Sequence, residues 1–145
     1  GFPVAGVETE DRRVRAVFVA SSVRPVRYEA RQFILATGGL YGHGLLTDAA
    51  GAVVESIFHL PLRDVPAREE WMASATEGAH PIYATGVAVD SELRPIDERG
   101  QVVFENLHAA GAILAGGSGP RTGVGDGVAI GSAYAAATAI LAANR

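Results

Sequence analysis

The sequence predicts an α/β fold, and three observations carry that assignment. Short runs rich in valine and aromatic residues open the chain, a composition that suits pleated strands. Two later runs, Phe33-Ile34-Leu35 and Leu107 to Leu114, are apolar without alternation, and each leads into small residues and glycine. Strands buried on both faces of a covered parallel sheet look like this. An uncharged stretch from about Val128 to Ala143 closes the chain with apolar residues on every side, which predicts a buried C-terminal helix.

Taken in order, Val4 to Val7 and Val14 to Ala20 flank the polar turn Glu10-Asp11-Arg12-Arg13 and read as a β-hairpin, the start of a meander. After Arg24-Pro25, Tyr28 to Leu35 reads as a strand running into Ala36-Thr37-Gly38-Gly39. From Leu40 to Ala84 the period is lost among glycines and prolines, so residues 40–84 read as a connecting or cap-like segment, with room for a short helix at Ala67 to Ala75. Thr85 to Val89 resumes a strand, Arg94 to Gly100 is a polar turn, and Val102 to Phe104 is short and extended. No repeat or low-complexity linker interrupts the chain, so residues 1–145 read as a single unit.

Composition narrows the function. The 145 residues amount to one domain or part of one. All 12 basic side chains are arginine and are interspersed among 16 acidic ones, for a net charge of -4. No large single-sign field results, and nucleic acid is not an expected partner. The absence of cysteine excludes disulfides, thiolate metal sites, an iron-sulfur cluster held by this chain and a cysteine nucleophile. Gly1-Phe2-Pro3-Val4 has neither an initiating methionine nor a signal-peptide pattern, and the expectation is a piece of a longer chain. Eight of the eighteen residues from Gly127 to Asn144 are alanine, so this run falls short of a membrane span and favours a buried soluble helix.

The strongest chemical feature is the glycine cluster Gly116-Gly117-Ser118-Gly119-Pro120-Arg121-Thr122-Gly123-Val124-Gly125-Asp126-Gly127, between an apolar strand and the last helix. Glycine lets main-chain N–H groups approach a ligand, and a helix N-terminus adds about half a unit of positive charge. The combination suits a phosphate, or the N1/C2=O edge of an isoalloxazine, which carries negative charge when the flavin is reduced. Tight turns and close helix packing account for the same glycines equally well. Ala36-Thr37-Gly38-Gly39 follows the other buried strand, with Gly111 inside the second run, and two glycine-rich strand ends suit the crevice where open α/β sheets bind ligands. The candidate cofactor-binding residues are therefore Ala36, Thr37, Gly38, Gly39, Gly111, Gly116, Gly117, Gly123, Gly125, Asp126, Gly127 and Val128, with Asp126 also the expected N-cap.

The pattern resembles flavoproteins with two dinucleotide-binding, Rossmann-like domains, the group of succinate dehydrogenase, fumarate reductase and aspartate oxidase. Phe33 to Gly39 and Asn106-Leu107-His108-Ala109-Ala110-Gly111 carry the likeness. The chain is also similar to the family of B subunits of anaerobic glycerol-3-phosphate dehydrogenases. That likeness lies in Gly39-Leu40-Tyr41-Gly42-His43-Gly44-Leu45, Glu69-Glu70-Trp71, Gly86 to Pro95 and Gly123 to Val128, although the family often has cysteine where this chain has Val124. The resemblance implies the carboxyl-terminal portion of a flavin subunit that binds FAD or FMN, in a complex that oxidises glycerol 3-phosphate to dihydroxyacetone phosphate and passes electrons toward quinone. It implies a flavoprotein A subunit and an iron-sulfur subunit as partners. It also implies a cytoplasmic location, peripheral on the cytoplasmic face of the inner membrane and held there through partners. No Gly-x-Gly-x-x-Gly unit occurs in the sequence, so the isolated piece is expected to hold flavin poorly and to be inactive. A fumarate reductase-like enzyme with its own substrate site and a non-catalytic flavin-fold scaffold are the rival readings.

In fumarate reductases a histidine and an arginine of Arg-x-Gly hold substrate and handle its proton. The resemblance carries these roles to His80 and to Arg121-Thr122-Gly123, as candidate catalytic residues. A histidine capping a turn and an arginine on a solvated loop stand against them. His43, His59 and His108 lack metal-ligand spacing, so no metal site is expected. Glu69-Glu70 and Asp97-Glu98 are adjacent carboxylates that do not face one another and read as solvated surface. Ser118 and Ser132 lack a nucleophile elbow, and Trp71 reads as an anchor for the connecting segment.

Overall fold

The computed structural model describes residues 2–73, 80–116 and 125–143. The meander forms as the valine pattern predicts. Strands β1 (Val4–Glu10), β2 (Arg13–Val19) and β3 (Val26–Glu29) make an antiparallel sheet in the order β1-β2-β3. Asp11 and Arg12 both adopt positive φ, 48° and 60°, the conformation that lets a two-residue loop follow the twist of its strands. Val14 and Ala16 point inward and are buried.

The expected strand from Tyr28 to Leu35 divides. β3 stays with the meander, while β4 (Phe33–Leu35) turns away to pair in parallel with β9 (Leu107–Ala109), in the register Phe33↔Leu107, Ile34↔His108, Leu35↔Ala109. The intervening corner carries chain from one sheet to the other, and the carbonyl of Arg31 accepts a hydrogen bond there from Asn106 Nδ2 at 3.1 Å. β9 is also shorter than expected. Gly111 takes φ +80° and the chain enters a 3-10 turn at Gly111–Ile113, because that backbone conformation ends a strand.

Between these strands, β5 (Leu45–Thr47) pairs antiparallel with β6 (Val53–Glu55), and β7 (Leu62–Arg63) with β8 (Gly86–Val87). In place of a helix at Ala67 to Ala75, a 3-10 turn occupies Arg68–Glu70, and residues 74–79 lie outside the described residues. Trp71 anchors the segment through Nε1, which donates to the Pro66 carbonyl at 3.3 Å. The core gathers Val14, Leu35, Leu45, Leu60, Val87, Leu107, Ala109 and Ile113. Burial of each large aliphatic side chain stabilises the fold by about 1.5–3 kcal/mol. Glu55 is fully buried among them, its carboxylate accepting the N–H groups of Ile57, Phe58 and Leu60 at 2.9, 2.7 and 3.4 Å.

The last helix, α1 (Gly125–Ala143), begins slightly earlier than expected and corrects the reading in two respects. It is not enclosed by the described residues. Ala136 is its buried residue, while Ile130, Tyr134 and Leu141 are 72%, 75% and 66% exposed. The helix meets the rest of the molecule along one side, against Gly111–Ile113 and β9, and its apolar circumference is wider than that contact. Its 19 residues also make it long and apolar enough to cross a membrane, by length and composition alone. Asp126 sits within the first turn rather than at the N-cap, still where the helix dipole favours a carboxylate.

The amide of Asn106 joins the two main sheets. It is 2% exposed, its Oδ1 accepts the Val14 N–H at 2.8 Å, and its Nδ2 donates to the Val14 carbonyl at 2.9 Å. Asn106→Ala removes the partner of both main-chain groups of buried Val14 and of the Arg31 carbonyl, and is expected to lower stability by about 3 kcal/mol. A shift of the urea midpoint at unchanged slope measures it, with Gln101→Ala as an exposed control within about 0.5 kcal/mol of the parent.

Candidate functional site

Parallel pairing in register brings the carboxyl ends of β4 and β9 side by side, as the two glycine-rich strand ends predict. The Ala110 N–H continues the ladder to the Leu35 carbonyl at 2.9 Å. Beyond that rung the two segments remain in contact: a Cβ on Gly39 would lie 2.7 Å from the Ala112 carbonyl oxygen. Ala36 is exposed, and Thr37, Gly38 and Gly39 are half-buried. Among the described residues nothing accepts the main-chain N–H groups of Thr37, Gly38 or Gly39. Three consecutive main-chain donors at a strand end suit an anionic or carbonyl edge.

The glycines here divide into two kinds. Gly39, Gly42, Gly44 and Gly86 permit close packing. A Cβ on Gly44 would fall 1.9 Å from the Gly38 carbonyl oxygen, and one on Gly86 would fall 2.5 Å from the Leu114 carbonyl carbon. Among the described residues, nothing lies within 4 Å of the Cβ position at Gly111, Gly116, Gly125 or Gly127. The first two have positive φ, 80° and 73°. These four open positions and the three free N–H groups fit a flat ligand that touches main chain. The N–H groups of Gly111 and Gly116 are already engaged, by Ser132 Oγ at 2.8 Å and by the Ala84 carbonyl at 2.9 Å. Thr37 Oγ1 is buried without a partner, but it packs over Gly44.

Ser132, weighed from the sequence only as a nucleophile, has a structural role instead. Its hydroxyl accepts from Gly111 and donates to the Val128 carbonyl at 2.5 Å, and so fastens the first turns of α1 to the end of β9. A serine four residues after the valine whose carbonyl it binds is a common helix habit, and only the fold shows the second bond. Gly125, Asp126, Gly127 and Val128 form the exposed first turn of that helix. Gly117, Gly123 and Arg121 lie outside the described residues.

His80 precedes the 3-10 turn Pro81–Ala84. Its Nδ1 accepts the Ala73 N–H at 3.0 Å, and its ring meets the Tyr83 ring edge-on with centroids 5.6 Å apart. The His80 side chain does not cap that 3-10 turn and is tied to Ala73 instead. Tyr83 joins Tyr41 through their hydroxyls, linking this turn to Leu40–Gly42 just beyond β4. That hydrogen bond, together with partial desolvation, raises the Tyr83 pKa above the ordinary phenol value. The sequence does not announce the tyrosine pair, since its members are 42 residues apart.

His108 is buried, with Nδ1 on the Glu92 carbonyl at 2.8 Å. No group of three or more metal-ligating side chains occurs among the described residues. The distinctive stretch Gly86 to Pro95 turns on Asp90. Oδ1 accepts the N–H groups of Glu92 and Arg94, each at 2.9 Å, and Oδ2 pairs with Arg94. Desolvation pushes the Asp90 pKa up, but the Arg94 and Glu92 amides and the Arg94 guanidinium outweigh it and hold it below the usual carboxylate value. The loop closes against the site, because the Leu93 carbonyl accepts the Ala109 N–H at 2.8 Å.

The FAD binding domain family matches residues 42–128. A probable B subunit of anaerobic glycerol-3-phosphate dehydrogenase from Halobacterium salinarum (strain ATCC 29341 / DSM 671 / R1) is 37% identical over 139 residues, 96% of this chain and 32% of that protein. The B subunit of the enzyme so named in Yersinia pseudotuberculosis serotype I (strain IP32953) is 33% identical over 141 residues, 97% of this chain and 32% of that protein. That of Aliivibrio fischeri (strain MJ11) is 34% identical over 115 residues, 78% of this chain and 25% of that protein. The chain thus spans about a third of the length of the first of these curated relatives. No solved structure matches it. The chain belongs to the FAD binding domain family.

Two expectations follow from the geometry. Gly86→Ala drives a methyl group into fixed main chain and should lower stability by about 3 kcal/mol, whereas Gly127→Ala, in the open first turn of α1, should be neutral or gain up to about 1 kcal/mol. Thermal melts of the two variants distinguish them. The lowered Asp90 pKa stabilises the fold above the unfolded value of about 3.9, and this contribution disappears as pH falls through the depressed folded value. Asp90→Asn should therefore flatten the acid limb of the stability-pH curve below about pH 4.

Proposed function

Taking that membership as the premise, we propose that this chain is the carboxyl-terminal part of a flavin-dependent dehydrogenase subunit of the anaerobic glycerol-3-phosphate dehydrogenase B type. The relatives' names support the assignment. The observation that carries it is the parallel register of β4 and β9, with three N–H groups at their shared carboxyl end that no described residue accepts. The two-domain Rossmann-like arrangement belongs to the same proposal, with residues 1–145 one part of it and 40–84 its connecting segment.

FAD is the proposed cofactor, and when bound it supplies a two-electron acceptor that can release electrons singly. The N–H groups of Thr37, Gly38 and Gly39 would donate toward its electron-rich edge, and the N-terminus of α1 at Gly125–Val128 would add positive potential nearby. Oxidation of glycerol 3-phosphate to dihydroxyacetone phosphate removes a hydride equivalent from C2 and a proton from the hydroxyl. In that scheme His80 Nε2 is the proton-exchanging atom and Arg121 the fork for an anionic group of substrate. The partners are a flavoprotein A subunit and an iron-sulfur subunit. They pass electrons toward quinone and hold the complex on the cytoplasmic face of the membrane.

The intact protein should purify yellow, and heat should release FAD rather than FMN, as mass spectrometry can establish. A colourless protein unable to take up either flavin would sink the proposal in favour of a scaffold. Arg121→Ala in the intact complex then locates substrate oxidation. Turnover within about tenfold of the parent places it on the A subunit. A collapse with flavin retained places it on this chain, as in fumarate reductase-like enzymes.

A further inference from the structure

At the opposite end of the same strand pair, before Phe33 and Leu107, a cleft of about 570 Å³ opens between the hairpin tip, the corner that precedes β4 and the end of α1. Arg12, Arg13, Arg31 and Arg94 line it against Glu105, with Ala143 at its border. Four arginines and one carboxylate residue lining a single cleft are unexpected in a chain of net charge -4.

Two of the four are neutralised. Arg13 Nη1 lies 3.3 Å from Glu105 Oε2, and Arg94 pairs with Asp90 at 2.8 Å and Glu92 at 3.3 Å. The other two are not. Arg12 is held by a neutral acceptor, the Val102 carbonyl, and the Arg31 side chain makes neither an ion pair nor a hydrogen bond among the described residues. A neighbouring cleft of about 520 Å³ shares Arg13 and Arg31, so Arg31 borders both.

We propose that this cleft binds a phosphate group. Guanidinium forks match the paired oxygens of a phosphate. Arg12 is held in place before a ligand arrives, which lowers the entropy lost on binding. The paired Arg13 and Arg94, with side-chain exposures of 37% and 30%, wall a partly desolvated cleft in which the charges of Arg12 and Arg31 are screened less than on open surface. The site lies away from the free N–H groups of Thr37 to Gly39, across the length of β4, and is independent of flavin. The phosphate can come from a small free ion or from an anionic lipid headgroup, and the same chemistry serves both.

Calorimetric titration of the intact protein with inorganic phosphate tests the first source. Co-sedimentation with phosphatidylglycerol-phosphatidylcholine vesicles, against phosphatidylcholine alone, tests the second. Binding in either arm should weaken at least about tenfold in Arg31→Gln and in Arg12→Gln, less in Arg31→Lys, and further as salt is raised. A response to inorganic phosphate identifies the free ion, and a response confined to anionic vesicles identifies the headgroup. Failure of both arms overturns the proposal, as does binding that is unchanged in both glutamine variants. Loss of thermal stability without any change in phosphate response also overturns it, and assigns these arginines to the carbonyl end of α1.

Discussion

The side-chain amide of Asn106 is the constraint on which the arrangement depends. It exchanges a donor and an acceptor with Val14 in the manner of a strand residue, while its second N–H reaches the Arg31 carbonyl. Its own main-chain carbonyl accepts the Phe33 N–H at 2.9 Å. One residue therefore fastens the meander, the corner and the first rung between β4 and β9. A slip of one residue at that rung would turn Leu107 and Ala109, both fully buried, out of the core. It would also separate the strand ends that make the site.

Beyond the last rung, packing and binding cease to be rival explanations of the glycines. Gly39 and Gly86 are bare because main chain lies where their side chains would be. That closeness lets the chain turn abruptly after β4 and leaves the N–H groups of Thr37 to Gly39 without an acceptor among the described residues. Tight turning produces the donors, so a glycine needed for structure is also a precondition for the site. Ser132 sharpens the assignment, because it takes the Gly111 N–H and shifts the free donors to the β4 side of the crevice.

Much of this is legible where the signal is local. Valines flanking a polar turn specify the meander, and unalternating apolar runs ending in glycine specify the parallel pair. The break at Gly111 is not legible, because the same residues suit a longer strand until a positive φ is imposed. Neither the buried carboxylate of Glu55 nor the clamp of Asn106 has a sequence signature, since each depends on main-chain groups brought to it by folding. The helix departs from expectation for a different reason. An apolar circumference states what surface a helix carries and is silent on what covers it, and the described residues cover one side of α1.

The parallel pair thus has two ends with unlike chemistry, though each favours electron-rich ligands. At the carboxyl end the donors are main-chain N–H groups, fixed in spacing and carrying only partial charge, which suits a planar edge read at short range. At the amino end they are guanidinium groups with full charge, on longer side chains, which suits a tetrahedral anion. β4 has three residues, about 10 Å of extended chain, close to the screening length at physiological salt. The two ends are built from different residues, and each can be altered separately by substitution.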